Sequence, residues 1–403
     1  MSKNIFIANY ISKDYYKDNL YLRNKKKLAK TLENIFSAIE KKDDTFHTLS
    51  KKLKLDFTKS DLKNFNNYKS IIIIGMGGST LGVQAIYTFL KTKINKDLIF
   101  IDNLEQLKIE KIKKKQSLKN NLFIIISKSG NTLETLINTN LFEGNINRKN
   151  TIIITEKKTN TLNIFAKKKK IIHINHKDYI GGRYSVLSEV GMVPAHLMGL
   201  KIKFFRKNLL DFFRSKENLL LTDSVIKLAH IYNLKKINSI ILINYASELE
   251  DFLYWTQQLI AESLGKKGKG IIPVVSPMPR DHHSLLQLYL DGPKDKLFYI
   301  FSLKYKKHMK IKNNVFGSKY SFIENKKLST VKDAQKKALI QELKSRNIPY
   351  REFRINKVAE ETLGELFSYF ILETALIGNI IGVDPFNQPA VEQVKSLTKR
   401  YLS

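Results

Sequence analysis

Ser70-Ile71-Ile72-Ile73-Ile74-Gly75-Met76-Gly77-Gly78-Ser79-Thr80-Leu81-Gly82 decides the architecture. Successive β-branched residues with no polar alternation read as a strand covered on both faces. The glycines let the backbone turn tightly and bring N–H groups up to an anion at the start of the helix-like run that follows. A plain strand-to-helix turn explains the glycines equally well. A dinucleotide fingerprint would need glycine at position 80, where threonine stands. Strand, glycine turn and helix recur along the chain, with strands expected at 98–101, 122–126, 151–154 and 171–174. After a helical stretch expected over 193–213 the pattern restarts at 240–243, 271–275, 297–301 and 350–353. The expected fold is α/β, two doubly wound domains with mainly parallel sheets flanked by helices. The expected limits are 1–203 and 204–383, followed by a carboxyl-terminal helix over 384–403.

A length of 403 residues accommodates two such cores, and 43% hydrophobic with 27% charged residues is a globular balance. The first ten residues carry no apolar stretch of signal-peptide type, and the apolar runs are strand-sized rather than membrane-sized. Cysteine is absent, which excludes disulfides and thiolate metal sites and fits a reducing, cytoplasmic location. Lys and Arg number 70 against 37 acidic residues, a formal charge of +33 that raises nucleic acid as a partner. The lysines are scattered in short runs (25–27, 113–115, 167–170) alongside abundant Ile and Asn, as solvated faces under compositional bias would be. Neither a specific nucleic acid nor a membrane is expected. A cationic surface would still speed encounter with a small anion.

Further segments can carry chemistry. Ser127-Lys128-Ser129-Gly130-Asn131-Thr132 follows the 122–126 strand, and its density of hydroxyls suits a phosphate cradle at a helix start. Asn131 and Glu134 have capping-box spacing. Gly181-Gly182-Arg183-Tyr184-Ser185 places a guanidinium beside glycine backbone, where it can meet developing negative charge, although a surface arginine after a turn is the commoner case. Across the helix expected at 248–264, Leu249, Phe252, Leu253, Thr256, Leu259, Ile260 and Leu264 form the core stripe. Gln258 and Glu262 lie on the other side, so the pattern alone makes Glu262 a solvated carboxylate paired with Lys266. Arg280-Asp281-His282-His283-Ser284 is a proline-flanked loop with two proton-transfer candidates. Near the end, Gln388-Pro389 opens a helix that carries Lys395, a position where lysine is usually just solvated. No set of residues has metal-ligand spacing.

Taken in order, these segments resemble the glucose-6-phosphate isomerase (phosphoglucose isomerase) family, in its short bacterial-type form with two sugar-isomerase domains. The resemblance implies interconversion of glucose 6-phosphate and fructose 6-phosphate through a cis-enediol, with no cofactor or metal. By it, Gly77, Gly78 and Ser79 correspond to the first substrate loop, and Ser127, Lys128, Ser129 and Thr132 to the phosphate loop. Gln258 corresponds to a substrate contact, Glu262 to the base and Arg183 to the stabiliser of the intermediate. His283, with His282 as runner-up, and Lys395 correspond to the ring-opening groups. A homodimer with His283 contributed across the interface is implied in the same way, and mannose 6-phosphate is left open as a further substrate.

Overall fold

The computed structural model describes residues 4–115, 118–211, 218–306 and 309–403. The strands are β1 (Ile5–Tyr10), β2 (Ser70–Gly75), β3 (Asp97–Ile101), β4 (Asn121–Ile126), β5 (Thr151–Thr155), β6 (Ile172–Asn175), β7 (Ser239–Asn244), β8 (Ile272–Pro277), β9 (Lys296–Leu303) and β10 (Tyr350–Ile355). They form two five-stranded sheets, ordered β3-β2-β4-β5-β6 and β1-β10-β9-β7-β8. The first is parallel throughout, and the second is parallel except for β1, which runs antiparallel to β10.

The quoted isoleucines behave as a two-faced strand requires. Ile71 and Ile73 enter one apolar core and Ile72 and Ile74 another, all without exposure. Every expected strand is present, with ends displaced by a residue or two. The expected helix over 193–213 is instead interrupted: Glu189–Leu197 is followed by the short Ile202–Phe205, with Gly199 between them at φ +87°. A residue in the left-handed region ends an α-helix. Phe213, the far end of that expectation, lies outside the described residues.

One strand crosses the expected domain limit. The first unit is expected to span 1–203, yet β1 completes the second sheet in the register Ile5↔Ile355 to Tyr10↔Tyr350. Its polar anchor is buried. Arg351 of β10, fully buried, gives Nη1 and Nη2 to Glu373 at 2.8 and 2.7 Å and Nε to Asn9 of β1 at 2.8 Å. Tyr369 and Ser224 complete the group.

Glu373 and Tyr369 belong to Glu360–Ile381, a helix buried on nearly every side and packed against Asn218–Leu234 and Glu250–Leu264. This helix corrects the expectation that no apolar run is membrane-sized. By length and a mean hydropathy of 1.3 it could cross a membrane, but 94% of that window is buried inside the protein. Glu365 and Glu373 interrupt it, and the burial of Glu373 is offset by Arg351 and the Tyr369 hydroxyl. Between the units, Glu250–Leu264 packs along Leu81–Leu90, the helix that follows the quoted glycine turn.

Arg351→Leu leaves the Glu373 carboxylate buried without its cation, a change that costs about 3–5 kcal/mol. The expected outcome is a lower urea midpoint at an unchanged m-value.

Candidate active site

From β2 the chain moves outward to β3 and then returns to the other side of β2 to form β4. The order therefore reverses between β2 and β4, the position at whose carboxyl ends an open α/β sheet takes its ligand. Both glycine- and hydroxyl-rich loops emerge there. A Cβ on Gly75 would lie 2.9 Å from the Ile126 carbonyl oxygen, so the two loop bases touch. Gly77 has φ +53°, which glycine tolerates best. A Cβ on Gly78 would stand 2.3 Å from the Gly182 carbonyl carbon and 2.6 Å from the Arg183 nitrogen. Only glycine allows the first loop to rest on the arginine loop. Ser79, in the same turn, is buried.

In the second loop the Ser127 and Thr132 hydroxyls are 3.0 Å apart, and Ser129 Oγ accepts from the Asn131 N–H at 3.2 Å. The capping box expected of Asn131 and Glu134 does not form. Thr132 is the N-cap of Leu133–Leu141 and makes no side-chain cap, while Asn131 Oδ1 accepts from the Thr161 N–H at 3.0 Å and its hydroxyl at 2.9 Å. Asn131 thus ties the loop to the next helix. Lys128 gives Nζ to the Asp178 carbonyl at 2.6 Å and lies 3.9 Å from Glu156. Burial lowers its pKa, and the charges of Lys158 and Arg183 push the same way against Glu156 and Asp178.

Arg183 is the junction of the site. It is 2% exposed, with Nε on Ser263 Oγ at 2.8 Å and Nη1 on Gln388 Oε1 at 2.8 Å and Glu262 Oε2 at 3.1 Å. Its Nη2 donates to the Pro385 and Asn387 carbonyls at 2.6 and 3.1 Å. The Tyr184 hydroxyl reaches Ser263 and the Pro385 carbonyl. Glu262 receives Gln258 Nε2 on its other oxygen at 3.0 Å, and its side chain keeps 36% exposure. Gln258 Oε1 is buried with no hydrogen-bond partner, an acceptor waiting for a donor.

The expected solvated Glu262–Lys266 pair is not found. Lys266 donates instead to the carbonyls of Ser263 and Asp384. The expected core stripe of the helix is buried, joined by Trp255 and Ser263, and the helix also packs against the first unit, so Gln258 and Glu262 are only part-exposed.

The structure therefore brings together Gly77, Gly78, Arg183, Gln258 and Glu262, with the Ser127–Thr132 loop at the same sheet edge. Among the described residues, no hydrogen bond or ion pair joins His283 or Lys395 to that group. His283 is exposed, whereas His282 is half-buried with its Nε2 2.7 Å from the Tyr245 hydroxyl. Lys395 pairs with Glu392 at 2.6 Å on Ala390–Leu402, a helix with no buried residue. Gln388 and Ser263 were missed by sequence reasoning. Gln388 stood beside Pro389 in a segment already singled out, whereas nothing in the sequence signals the carbonyls that seat Arg183. Among the described residues no three His, Asp or Glu side chains gather as metal ligands.

Residues 17–403 match the family model described as Phosphoglucose isomerase. A glucose-6-phosphate isomerase of Methanocaldococcus jannaschii is 31% identical over 355 residues, 84% of this chain and 86% of that one. One from Campylobacter jejuni is 30% identical over 389 residues, 89% and 91% of the two chains. The fold is shared with a crystal structure of a hypothetical protein from Thermus thermophilus, at TM-score 0.82 and 21% identity over 98% of this chain and all of that one. It is also shared with a glucose-6-phosphate isomerase from Chlamydia trachomatis, at TM-score 0.81 and 17% identity over 100% and 89%.

Lys266 gives a pH signature. Burial first, then Arg183, lower its pKa from 10.5 to about 8. Between these values the unfolded chain holds the extra proton, so this lysine makes stability rise with pH through that window, and its penalty is complete below about 8. The unfolding free energy of the wild type relative to Lys266→Met should climb across the window; a flat difference contradicts the assignment.

Proposed function

Because the chain is an enzyme of the phosphoglucose isomerase family, we propose that it interconverts glucose 6-phosphate and fructose 6-phosphate, with Glu262 as the group that moves the proton. The carrying observation is the Glu262 carboxylate itself. It is gripped on one oxygen by a fully seated Arg183 and on the other by Gln258, yet it stays open to the crevice. A phosphate in the Ser127–Thr132 loop and the neighbouring helix N-terminus supplies binding energy remote from the reacting carbons. With the sugar open, Glu262 takes the proton from C2 while the aldehyde oxygen at C1 gains one from solvent. The same carboxyl then returns its proton to C1 as the C2 hydroxyl gives its proton to solvent and becomes the ketone. Negative charge develops on the C1 oxygen on the way to the cis-enediol. Arg183 stabilises it as a fixed positive charge beside Glu262, since its N–H groups are already held by Glu262, Ser263, Gln388 and two carbonyls.

His283 and Lys395 open the ring by moving protons at the ring oxygen and the anomeric hydroxyl. The exposure of His283 supports its service in the site of a second copy, hence a homodimer. A cysteine-free chain suits a reducing cytoplasm.

A coupled assay of the purified protein should convert fructose 6-phosphate to glucose 6-phosphate, with mannose 6-phosphate run in parallel. Glu262→Gln should lower kcat by at least about 100-fold, the scale of general-base catalysis. A loss below about tenfold rules Glu262 out as the base. Mixing inactive Glu262→Gln with inactive His283→Ala should restore turnover if sites are shared between copies; no restoration excludes a His283 supplied in trans.

A further inference from the structure

The second sheet repeats the strand order of the first. β8-β7-β9-β10 has the same reversal as β3-β2-β4-β5, and it falls between β7 and β9. An open α/β sheet places its ligand crevice at the carboxyl ends of the strands where the order reverses. A cavity of about 500 Å³ opens next to that reversal, over the carboxyl ends of β9 and β10, lined by Tyr245 after β7, by Ser302 to Tyr305 at the end of β9 and by Arg354 and Asn356 at the end of β10. That volume suits a small molecule. The helix that closes it, Leu328–Ser345, contributes Ser329 and Thr330 from its opening turn and Lys332 and Lys336 one turn apart. Hydroxyls, a helix start and cations thus sit beyond β9 as Ser127–Thr132 and Leu133–Leu141 sit beyond β4.

The charges of this crevice are unevenly matched. Lys336 is spent on Asp333 and Glu352, each at 3.2 Å. Arg354 lies 3.6 Å from Glu352 and stacks over Phe6 at 3.8 Å. Glu248 accepts the Tyr305 hydroxyl at 3.0 Å, and the Tyr245 hydroxyl is held by His282. Lys304 and Lys332 remain. Among the described residues neither has a carboxylate within ion-pair distance, and half-buried Lys332 rests over the Tyr305 ring at 5.4 Å. Burial lowers the Lys332 pKa, opposed by the more distant Glu248. A cation drawn partly out of water with no partner gains most from an incoming anion.

We propose that the cavity over the carboxyl ends of β9 and β10 is a second anion site, distinct from the Glu262 site, that takes a phosphate-bearing metabolite. Lys304 and Lys332 are its counter-charges, and the Thr330 hydroxyl on the lining adds a polar contact for a phosphate oxygen, since the Leu328, Thr330 and Val331 N–H groups already donate to backbone carbonyls.

The test is calorimetric titration of the full chain with inorganic pyrophosphate, in the wild type and in three double variants. The wild type should take up two equivalents per chain. Lys304→Ala with Lys332→Ala should lose one of them, or weaken it at least about tenfold, while isomerase turnover and the thermal midpoint in pyrophosphate-free buffer stay unchanged. Ser127→Ala with Thr132→Ala should lose the other equivalent, so failure of the first phosphate loop is read separately. Lys25→Ala with Lys26→Ala, two exposed lysines, should keep both and controls for the overall positive charge. The proposal is overturned by a single wild-type equivalent that survives removal of Lys304 and Lys332. It is equally overturned by a loss no greater than that of the Lys25 and Lys26 control.

Discussion

A single buried guanidinium sets the geometry of the candidate site. Arg183 is 2% exposed, and such burial is tolerable only when its N–H groups are matched by acceptors. The acceptors come from segments far apart in the chain: Ser263 and Glu262 on one helix, Gln388 and two backbone carbonyls near the carboxyl end. The arginine can be satisfied only if both sheets and the 384–388 segment have reached their final positions. Gly78 adds the complementary steric condition, since its missing Cβ lets the first loop lie on Gly182. Fold and site are thereby coupled, because the same hydrogen bonds that neutralise a costly cation also aim the Glu262 carboxylate.

The strands were legible because burial on both faces leaves an unmistakable run of isoleucine, as in Ile71–Ile74 and 122–126. The core stripe of Glu250–Leu264 was legible for a similar reason, since periodicity reports which side of a helix meets its own sheet. What periodicity does not report is a polar face that meets another unit. Glu262 and Gln258 read as solvated residues for that reason, and Lys266 as the partner of Glu262, although two carbonyls claim it. Their chemical reading came from resemblance across several segments.

Other departures share one cause, which is that local spacing has several structural solutions. Asn131 and Glu134 fit a capping box in sequence, but the Asn131 carbonyl group is used by Thr161. A continuous helix over 193–213 fits the apolar pattern, but Gly199 adopts a left-handed conformation and divides it. The mixed polar and apolar residues of Ile5–Tyr10 gave little sign of a strand, because an edge strand needs only one covered side and its partner lies near the other end of the chain.

That last pairing has a consequence for biogenesis. A chain emerging from the ribosome makes β1 first, but the strand it must join, β10, begins at Tyr350. The first sheet can close while later residues are still being added, whereas the second stays an open edge until Tyr350–Ile355 has emerged. During that interval Arg351 and Glu373 have not yet met. The amino-terminal strand is therefore a late closure on a sheet synthesised hundreds of residues after it, and completion of the second half is timed by translation as well as by its own folding.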